Sequence, residues 1–257
     1  AKDVATVQVL ENHQPVKALE KTQPSSDAAI NLKLKDEVKG TFSMTAQLGL
    51  GYDGRVRRSE ELIGLYFAKL RQHVLTAKSN DNGEDIRREL RSFTGGSPLP
   101  SLTMTSLQQP DEPRISRPRY YDNDTHAFSS NNLYKLKNEA ELNANLIFFH
   151  DRERTHGASQ TTYFLPEGTK VISEDLRNRG TIDQLEGELR YNINKEQLYF
   201  NNLLELKASW EQEHGIVSAG EDLTQQMRQR YLSATNTSHW VQTKADGKGG
   251  EILWRNA

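Results

Sequence analysis

The chain has 257 residues, of which 35% are hydrophobic; its net charge is −2 and it contains no cysteine. The lack of cysteine excludes disulfides, thiolate catalysis and cysteine-ligated zinc, and the near-neutral charge gives no reason to expect a nucleic-acid partner. No apolar run approaches the roughly 18 residues that a membrane-spanning helix needs. A β-barrel, in which half of each strand is polar, is compatible with the mean hydropathy of −0.78.

The first 52 residues predict three strands. Two short ones, at 5–11 and 28–36, are separated by a polar connection rich in proline and serine. After a break at 36–40, residues 42–52 alternate strictly between apolar and small polar side chains. Such alternation places every second residue on one face of an extended chain. This strand must therefore bury its apolar face, either in a protein core or in lipid.

The next 80 residues are less regular. Residues 53–61 are predicted as a charged turn and 62–77 as one strand, with a short helix at 84–90 inside an irregular region, 78–130. So long a connection usually indicates a functional loop or a wrongly assigned element. Because each strand reverses the direction of the chain, these predicted strands place the long connection 78–130 at the same end of the sheet as the short turns.

The second half again alternates, which predicts strands at 133–149, 184–193 and 198–211 and a short apolar run at 251–254. Residues 194–197 and 245–250 are predicted as turns. Two polar stretches, 150–181 and 211–239, are predicted as long loops and so as candidate ligand contacts.

The strand pattern favours lipid in three respects. The predicted strands have 11 to 17 residues, their polar faces carry rows of Glu, Lys, Arg and Asn, and aromatic residues lie near their ends. A soluble antiparallel sheet with one solvated face shows the same alternation. Periodicity alone therefore leaves both interpretations open.

The N-terminal strands carry a resemblance. "DVATVQVLENHQPVKAL" followed by "SSDAAINLKLKDEVKGTF" resembles the end of the plug domain of TonB-dependent outer-membrane receptors, where it runs into the first barrel strand. Val7, Val9 and Leu10 match the first plug strand, and residues 28–32 match the second. Blocks at 77–90, 118–136 and 161–168 resemble the branch of this family that carries a carboxypeptidase-like regulatory domain.

The resemblance implies an all-β fold: a partial transmembrane antiparallel β-barrel, residues 41–257, with the C-terminal part of a plug domain, residues 1–40. Transporters of this class have about 22 strands, whereas five or six are recognisable here, so the chain is expected to be a fragment. The glycine-rich signature of the plug and the TonB box are not found in it.

The implied function is uptake of a polar nutrient across the cell outer membrane. The implied partners are the TonB energy-transducing complex (through a segment that this chain lacks), the lipid bilayer, an unidentified small polar ligand and, as an optional partner, a surface lipoprotein. Two alternatives stay open: a small structural or adhesive barrel of 8–10 strands, and a soluble all-β carbohydrate-binding module with a dry apolar interior.

The sequence predicts no enzyme, no catalytic residue, no metal site and no cofactor, and it assigns no ligand-binding residue. Asn80, Asn82, Gly83 and Glu89 fit part of a calcium loop, but Lys78 occupies the first ligand position. The remaining candidates are better explained as solvated side chains on strands and loops: His150 with His156, Glu139 with Glu141, and Glu186 with Glu188.

Overall fold

The computed structural model describes residues 4–10, 14–20, 29–34, 40–87, 107–243 and 249–256. Within these ranges the chain is all-β apart from short 3₁₀ turns at Lys17–Leu19, Arg117–Arg119 and residue Arg87, and no helix is long and apolar enough to cross a membrane. The strands are β1 (Val4–Leu10), β2 (Ala29–Leu34), β3 (Thr41–Tyr52), β4 (Val56–Phe67), β5 (Arg71–Asn80), β6 (Asp122–Lys135), β7 (Ala140–Leu165), β8 (Gly168–Asn194), β9 (Leu198–Ser218), β10 (Asp222–Thr243) and β11 (Gly249–Asn256).

These strands form two sheets. β1 and β2 pair in a small antiparallel sheet, as the N-terminal pattern predicts. β3 to β11 form one nine-stranded antiparallel sheet in which every strand pairs with its neighbours in chain order. The described part of the sheet is open, because β3 and β11 are its edges and do not pair with each other.

The up-and-down order places connections alternately at the two ends of the sheet. One end, the turn end, has the short connections 68–70, 136–139 and 195–197. The other end, the hairpin end, has 53–55, 166–167, 219–221 and the long connection between β5 and β6. β7 and β8, with 26 and 27 residues, make the longest hairpin and project at that end.

The sequence-based boundaries are wrong between 53 and 77. Residues 53–61 are not one charged turn and 62–77 are not one strand, because β4 and β5 meet at a turn over 68–70. Charged residues of the expected turn are accommodated in the strand by cross-strand partners: Lys78 lies 3.0 Å from Glu61, and Arg58 lies 2.5 Å from Asp124. The extra strand reverses the direction of the chain, so the long connection lies at the hairpin end rather than at the turn end.

The second half also departs from expectation. The predicted strand 133–149 is divided by the turn 136–139, where Asn138 and Glu139 have positive φ angles of 61° and 58°, as tight hairpin turns require. The predicted loops 150–181 and 211–239 are mostly strand, because β7 to β10 continue through them. The sheet therefore has nine strands instead of five or six. Of the predicted helix 84–90, residues 84–86 are irregular, Arg87 is in a 3₁₀ turn, and 88–90 lie outside the described residues.

The two faces of the large sheet show reversed burial: polar side chains are buried on one face, and apolar side chains are exposed on the other. The polar face carries all eleven buried polar or charged side chains of the described residues: Asn80, Asn123, Thr125, Ser129, Asn131, Asn145, Asp151, Asn178, Gln184, Ser209 and Glu211. The opposite, apolar face is exposed. Leu48, Leu50 and Leu232 are each more than 80% exposed, and Met44 is 64% exposed. Buried polar residues and exposed large apolar residues are the opposite of a soluble core.

The apolar face is continuous across the strands. One row of directly paired residues crosses eight strands and is apolar throughout: Ala46, Leu62, Ala77, Phe128, Phe148, Leu185, Ala208 and Leu232. We call this row and the apolar rows on its turn-end side the apolar belt. The next row towards the hairpin end is mostly polar or charged and includes Glu60, His126, His150, Asp183 and Arg230.

Aromatic rings border the belt near the turn end. Tyr66, His73 and Tyr134 are adjacent, with ring centroids 5.7 and 5.3 Å apart. Farther along the same face, Phe200 lies 6.3 Å from Tyr191 and 6.0 Å from Trp240. Aromatic side chains with a polar tip are suited to a boundary between an apolar and an aqueous phase.

Candidate functional site

The long β5–β6 connection covers the polar face at the hairpin end. Residues 81–87 follow β5 directly, and their backbone is held by asparagines of the sheet: Gly83 N–H donates to Asn123 Oδ1 at 2.8 Å, and Asn80 Nδ2 donates to the Glu84 carbonyl at 3.0 Å. Beneath this segment Ile86 packs with Ala127, Ile147 and Phe149, the one cluster of buried apolar side chains in the described residues.

Residues 107–121 return along the same face across β7 to β10. Asn178 Nδ2 donates to the Gln108 carbonyl at 2.7 Å, and the Leu107 N–H donates to Glu213 at 3.3 Å. Gly157 lies beneath Pro110, where an added Cβ would be 2.5 Å from the proline Cβ. A contact that close excludes any side chain, so this glycine seats the connection against the sheet.

A pair of carboxyl groups, Asp151 buried and Glu153 half-buried, anchors the end of the connection. Tyr121, which is 8% exposed, has its hydroxyl 2.9 Å from Asp151 Oδ2 and 2.9 Å from Glu153 Oε2. Thr125 Oγ1 donates to the other Asp151 oxygen at 2.8 Å. Arg117 stacks on the Tyr121 ring at 3.9 Å and its Nη1 lies 3.1 Å from Asp85.

The Tyr121 hydroxyl has one proton and cannot donate to both carboxylates at once. The contacts are all satisfied if Glu153 is protonated, so that Tyr121 donates to Asp151 and Glu153 donates to the Tyr121 oxygen. The electrostatics agree: burial raises the pKa of Glu153, and the neighbouring Asp151 and Glu213 raise it further. Burial also raises the pKa of Tyr121, which keeps the hydroxyl protonated. Glu153 lies five residues beyond Phe148 on β7, on the hairpin side of the apolar belt.

A cavity of about 210 Å³ opens beside this pair. Its lining is almost entirely polar and consists of Glu84, Asp85, Arg87, Arg117, Tyr121, Thr125, Asp151, Glu153, Ile182 and Glu213. Five carboxyl groups against two guanidinium groups offer many hydrogen-bond acceptors and a few donors to a small polar solute. No group of three or more His, Cys, Asp or Glu side chains among the described residues could hold a metal ion.

A second cavity, of about 260 Å³, lies on the polar face near the turn end. Four amide residues of the polar face line it, together with Phe67, Val74 and Leu133; they are Gln72, Asn131, Asn143 and Asn145. Asn132 also borders it, but its side chain lies 2.8 Å from His73 on the other face. Uncharged amides both donate and accept hydrogen bonds. Near the turn end the polar face thus has a neutral cavity beside charged pairs such as Lys207 with Glu186.

The N-terminal part of the chain touches the turn end of the large sheet. Asn194 accepts a hydrogen bond from Lys17 N–H at 3.0 Å and donates one to the Pro15 carbonyl at 2.7 Å. Lys17 Nζ lies 3.0 Å from Glu139, and Ala18 is buried at this contact, 5% exposed. These contacts attach residues 14–20 to the turns that precede β7 and β9.

The rejected candidates of the sequence are placed as follows. Asn80, Asn82 and Gly83 belong to the segment that covers the polar face, and Glu89 lies outside the described residues. His150 and His156 do not meet; they pair separately with Asp183 at 2.7 Å and Asp175 at 2.8 Å.

The carboxylate candidates bind local cations instead of each other. Lys17 and Lys135 lie beside Glu139 and Glu141, at 3.0 and 4.0 Å. Lys207 and Arg190 lie beside Glu186 and Glu188, at 3.8 and 3.7 Å.

Sequence reasoning missed the Tyr121 cluster. Asp151 and Glu153 lie two residues apart on one strand face, a signal that could have been found, but the stretch was predicted as loop. Comparison with known proteins gives no further guide, since the sequence matches no protein-family model and no curated protein.

Proposed function

We propose that the chain forms part of the wall of an outer-membrane β-barrel of the TonB-dependent receptor type, which takes up a small polar nutrient. Residues 1–40 would then contribute the end of the plug and residues 41–257 a sector of the barrel. The polar face would line a hydrated lumen, and the apolar belt would contact lipid.

The single observation that carries the proposal is the reversed burial of the two sheet faces. Exposed apolar patches on soluble monomers seldom exceed a few hundred Å², whereas here the apolar face runs across the whole nine-stranded sheet. Met44 is exposed, and Leu142 and Leu204 are only half-buried, so none of the three is sealed in an interior. A lipid phase would cover all of them at once.

The up-and-down topology supports the same proposal. Membrane barrels have short turns at one end and longer connections at the other; here one long connection, between β5 and β6, lies at the hairpin end, where β7 and β8 also project. The inward connection and the two cavities of the polar face fit a lumen that presents hydrogen-bonding groups to a polar solute. A soluble carbohydrate-binding module would have a dry apolar interior. Among the described residues, however, only four apolar side chains form a buried cluster.

Contact with lipid is tested by spin labels on the two faces of one strand. The chain has no cysteine, so Leu146→Cys and Asn143→Cys each give a single labelling site on β7, on the apolar and the polar face respectively. In phosphatidylcholine bilayers we expect the label at 146 to collide with dissolved oxygen and the label at 143 with a water-soluble nickel chelate. Two water-exposed labels would refute the membrane assignment.

Uptake itself requires a cellular measurement. Cells with and without the protein are compared on a panel of polar sole carbon or nitrogen sources. We expect at least one source on which growth requires the protein and on which accumulation stops when the proton gradient is collapsed. If the labels behave as expected but no source depends on the protein, the structural or adhesive barrel replaces the transporter.

A further inference from the structure

We infer that six arginines on the hairpin side of the apolar belt form a binding patch for the phosphate groups of anionic membrane lipids. The inference rests on the proposed function, because it requires the belt to lie in a bilayer. The patch, which we call the arginine patch, consists of Arg152, Arg154, Arg177, Arg179, Arg228 and Arg230, all on the apolar face of β7, β8 and β10 and all exposed.

The pairing register groups these residues into successive rows above the belt. Arg230 is directly opposite Trp210 in the first row, and Arg152 and Arg228 lie in the second, joined through Thr181 and Gln212. Arg154 and Arg179 are directly opposite each other in the third row. Like charges directly opposite across a strand pair are destabilising, unless an anion lies between them.

The patch is only partly neutralised from within the protein. Among the described residues no ion pair forms at Arg152, Arg179, Arg228 or Arg230. Asp175 lies 2.8 Å from Arg177, and Asp122 is at the limit of an ion pair with Arg154, 3.9 Å away. Two acidic residues share rows with the unpaired arginines but pair elsewhere: Asp183 lies 2.7 Å from His150, and Asp124, directly opposite Arg152, lies 2.5 Å from Arg58.

The arginines nearer β3 differ in this respect. Arg57 lies 2.9 Å from Asp53, and Arg58 lies 2.5 Å from Asp124, while Arg55 also pairs with Asp122. The cationic groups of this region therefore have internal carboxylate partners. Among the described residues on the hairpin side of the apolar face, the arginines without an ion pair lie in the β7–β10 sector, which locates the anion site there.

The height of the patch suits a lipid headgroup. At about 3.3 Å per residue, Arg230 lies roughly 7 Å along the strand from the last belt residue of β10, Leu232, and Arg228 about 13 Å from it. A headgroup layer occupies about 5–8 Å on each side of the hydrocarbon, and long arginine side chains reach back towards the belt. Guanidinium groups bind phosphate oxygens in a bidentate way, which favours a phosphate over a carboxylate ligand.

The test uses the fluorescence of Trp210, which adjoins Arg230 on the apolar face. In a Trp240→Phe, Trp254→Phe background Trp210 is the sole tryptophan, since the chain has three. The full chain is reconstituted in phosphatidylcholine vesicles that contain brominated phosphatidic acid or brominated phosphatidylcholine. We expect the anionic lipid to be preferred at Trp210 by at least about fivefold.

Two quadruple variants separate a local site from general charge. Arg152→Gln, Arg179→Gln, Arg228→Gln and Arg230→Gln together should reduce the preference to near one. The control, Lys69→Gln, Arg71→Gln, Lys137→Gln and Lys170→Gln, removes the same charge from exposed positions outside the patch and should leave the preference unchanged.

The remaining outcomes overturn the inference. An equal loss in the control variant would mean non-specific attraction, and displacement of the lipid by millimolar inorganic phosphate would mean a site for free phosphate. Quenching by brominated phosphatidylcholine without preference for the anionic lipid would refute the arginine patch alone. No quenching by either lipid would refute the proposed membrane contact as well.

Discussion

Replacing Tyr121 by Phe, or Glu153 by Gln, tests whether a shared proton fixes the inward connection to the sheet. Tyr121→Phe removes the hydroxyl that lies 2.9 Å from both Asp151 and Glu153. Glu153→Gln keeps the shape of the side chain and supplies a permanent N–H donor in the place of the proposed carboxyl proton. The two substitutions should therefore have opposite effects at neutral pH.

The magnitude follows from the buried groups that each change leaves. Loss of the tyrosine hydroxyl leaves the buried Asp151 and the half-buried Glu153 without this partner, at a cost of about 1–3 kcal/mol. For Glu153, burial raises the pKa above its value in the unfolded chain, so the folded form binds the proton more tightly. Its stabilising contribution is therefore complete at low pH and is lost as pH rises through the raised pKa. In Glu153→Gln the side chain does not titrate, so its stabilising contribution should not be lost as pH rises.

Hydrogen–deuterium exchange of residues 81–87 and 107–121 in the membrane-reconstituted chain measures these effects. After correction for intrinsic exchange rates, we expect the wild type to open more often at pH 8 than at pH 5. Glu153→Gln should be slow at both values, and Tyr121→Phe faster at both by about 5- to 150-fold. Tyr120→Phe, the same change one residue earlier, is the control. Equal pH dependence in the wild type and Glu153→Gln would refute the shared proton.

Two further changes test how the connection and the N-terminal segment are seated. Gly157→Ala places a Cβ 2.5 Å from Pro110 and should lower the stability of residues 107–121 by about 1–3 kcal/mol, which is measured as faster hydrogen exchange there. The control is Gly51→Ala, whose Cβ would make an ordinary contact of 3.8 Å. Unchanged exchange in Gly157→Ala would mean that Gly157 does not hold the connection against the sheet. Asn194→Ala removes two hydrogen bonds to residues 15 and 17. It should increase the rate of maleimide labelling of a cysteine placed at Ala18 at least several-fold. A labelling rate that stays low would mean that other contacts hold residues 14–20 against the sheet.

The all-β architecture could be predicted because alternation is a property of each strand by itself. Phe42 to Tyr52 show it without interruption, and the observed β3 matches the predicted strand within one residue. The error at 53–77 arose because Arg57, Arg58, Glu60 and Glu61 read as a solvated turn. In the sheet they lie on β4, where charges on β5 and β6 lie beside three of them: Asp122 beside Arg57, Asp124 beside Arg58 and Lys78 beside Glu61. No local pattern contains this compensation.

The candidate site could not be predicted for a related reason. The strands β7 and β8 continue far beyond the apolar belt, and there both of their faces are polar, so the period-two signal disappears. Asp151 and Glu153 fall in this part, and their partner Tyr121 precedes β6 by a single residue. Only the reversal of the chain at 68–70, which sequence reasoning missed, brings the connection to the end of the sheet where these groups meet.

The apolar belt does not end at the same row on every strand. On β3 the exposed apolar residues continue to Tyr52, six residues past Ala46. From β4 to β10 the next row beyond the belt is mostly polar or charged and includes Glu60 and Arg230. The upper boundary of the belt therefore follows one row of paired residues from β4 to β10 and steps up on the edge strand β3.

The open sheet sets a requirement on the working molecule. β3 and β11, the two edges, present unpaired backbone groups over Thr41–Tyr52 and Gly249–Asn256 within the described residues. Such edges cannot persist in hydrocarbon, where every backbone N–H and C=O must be paired within the protein. If the apolar belt contacts lipid, further strands must therefore pair with β3 and β11, and the lumen that receives residues 81–87 and 107–121 is closed only by them.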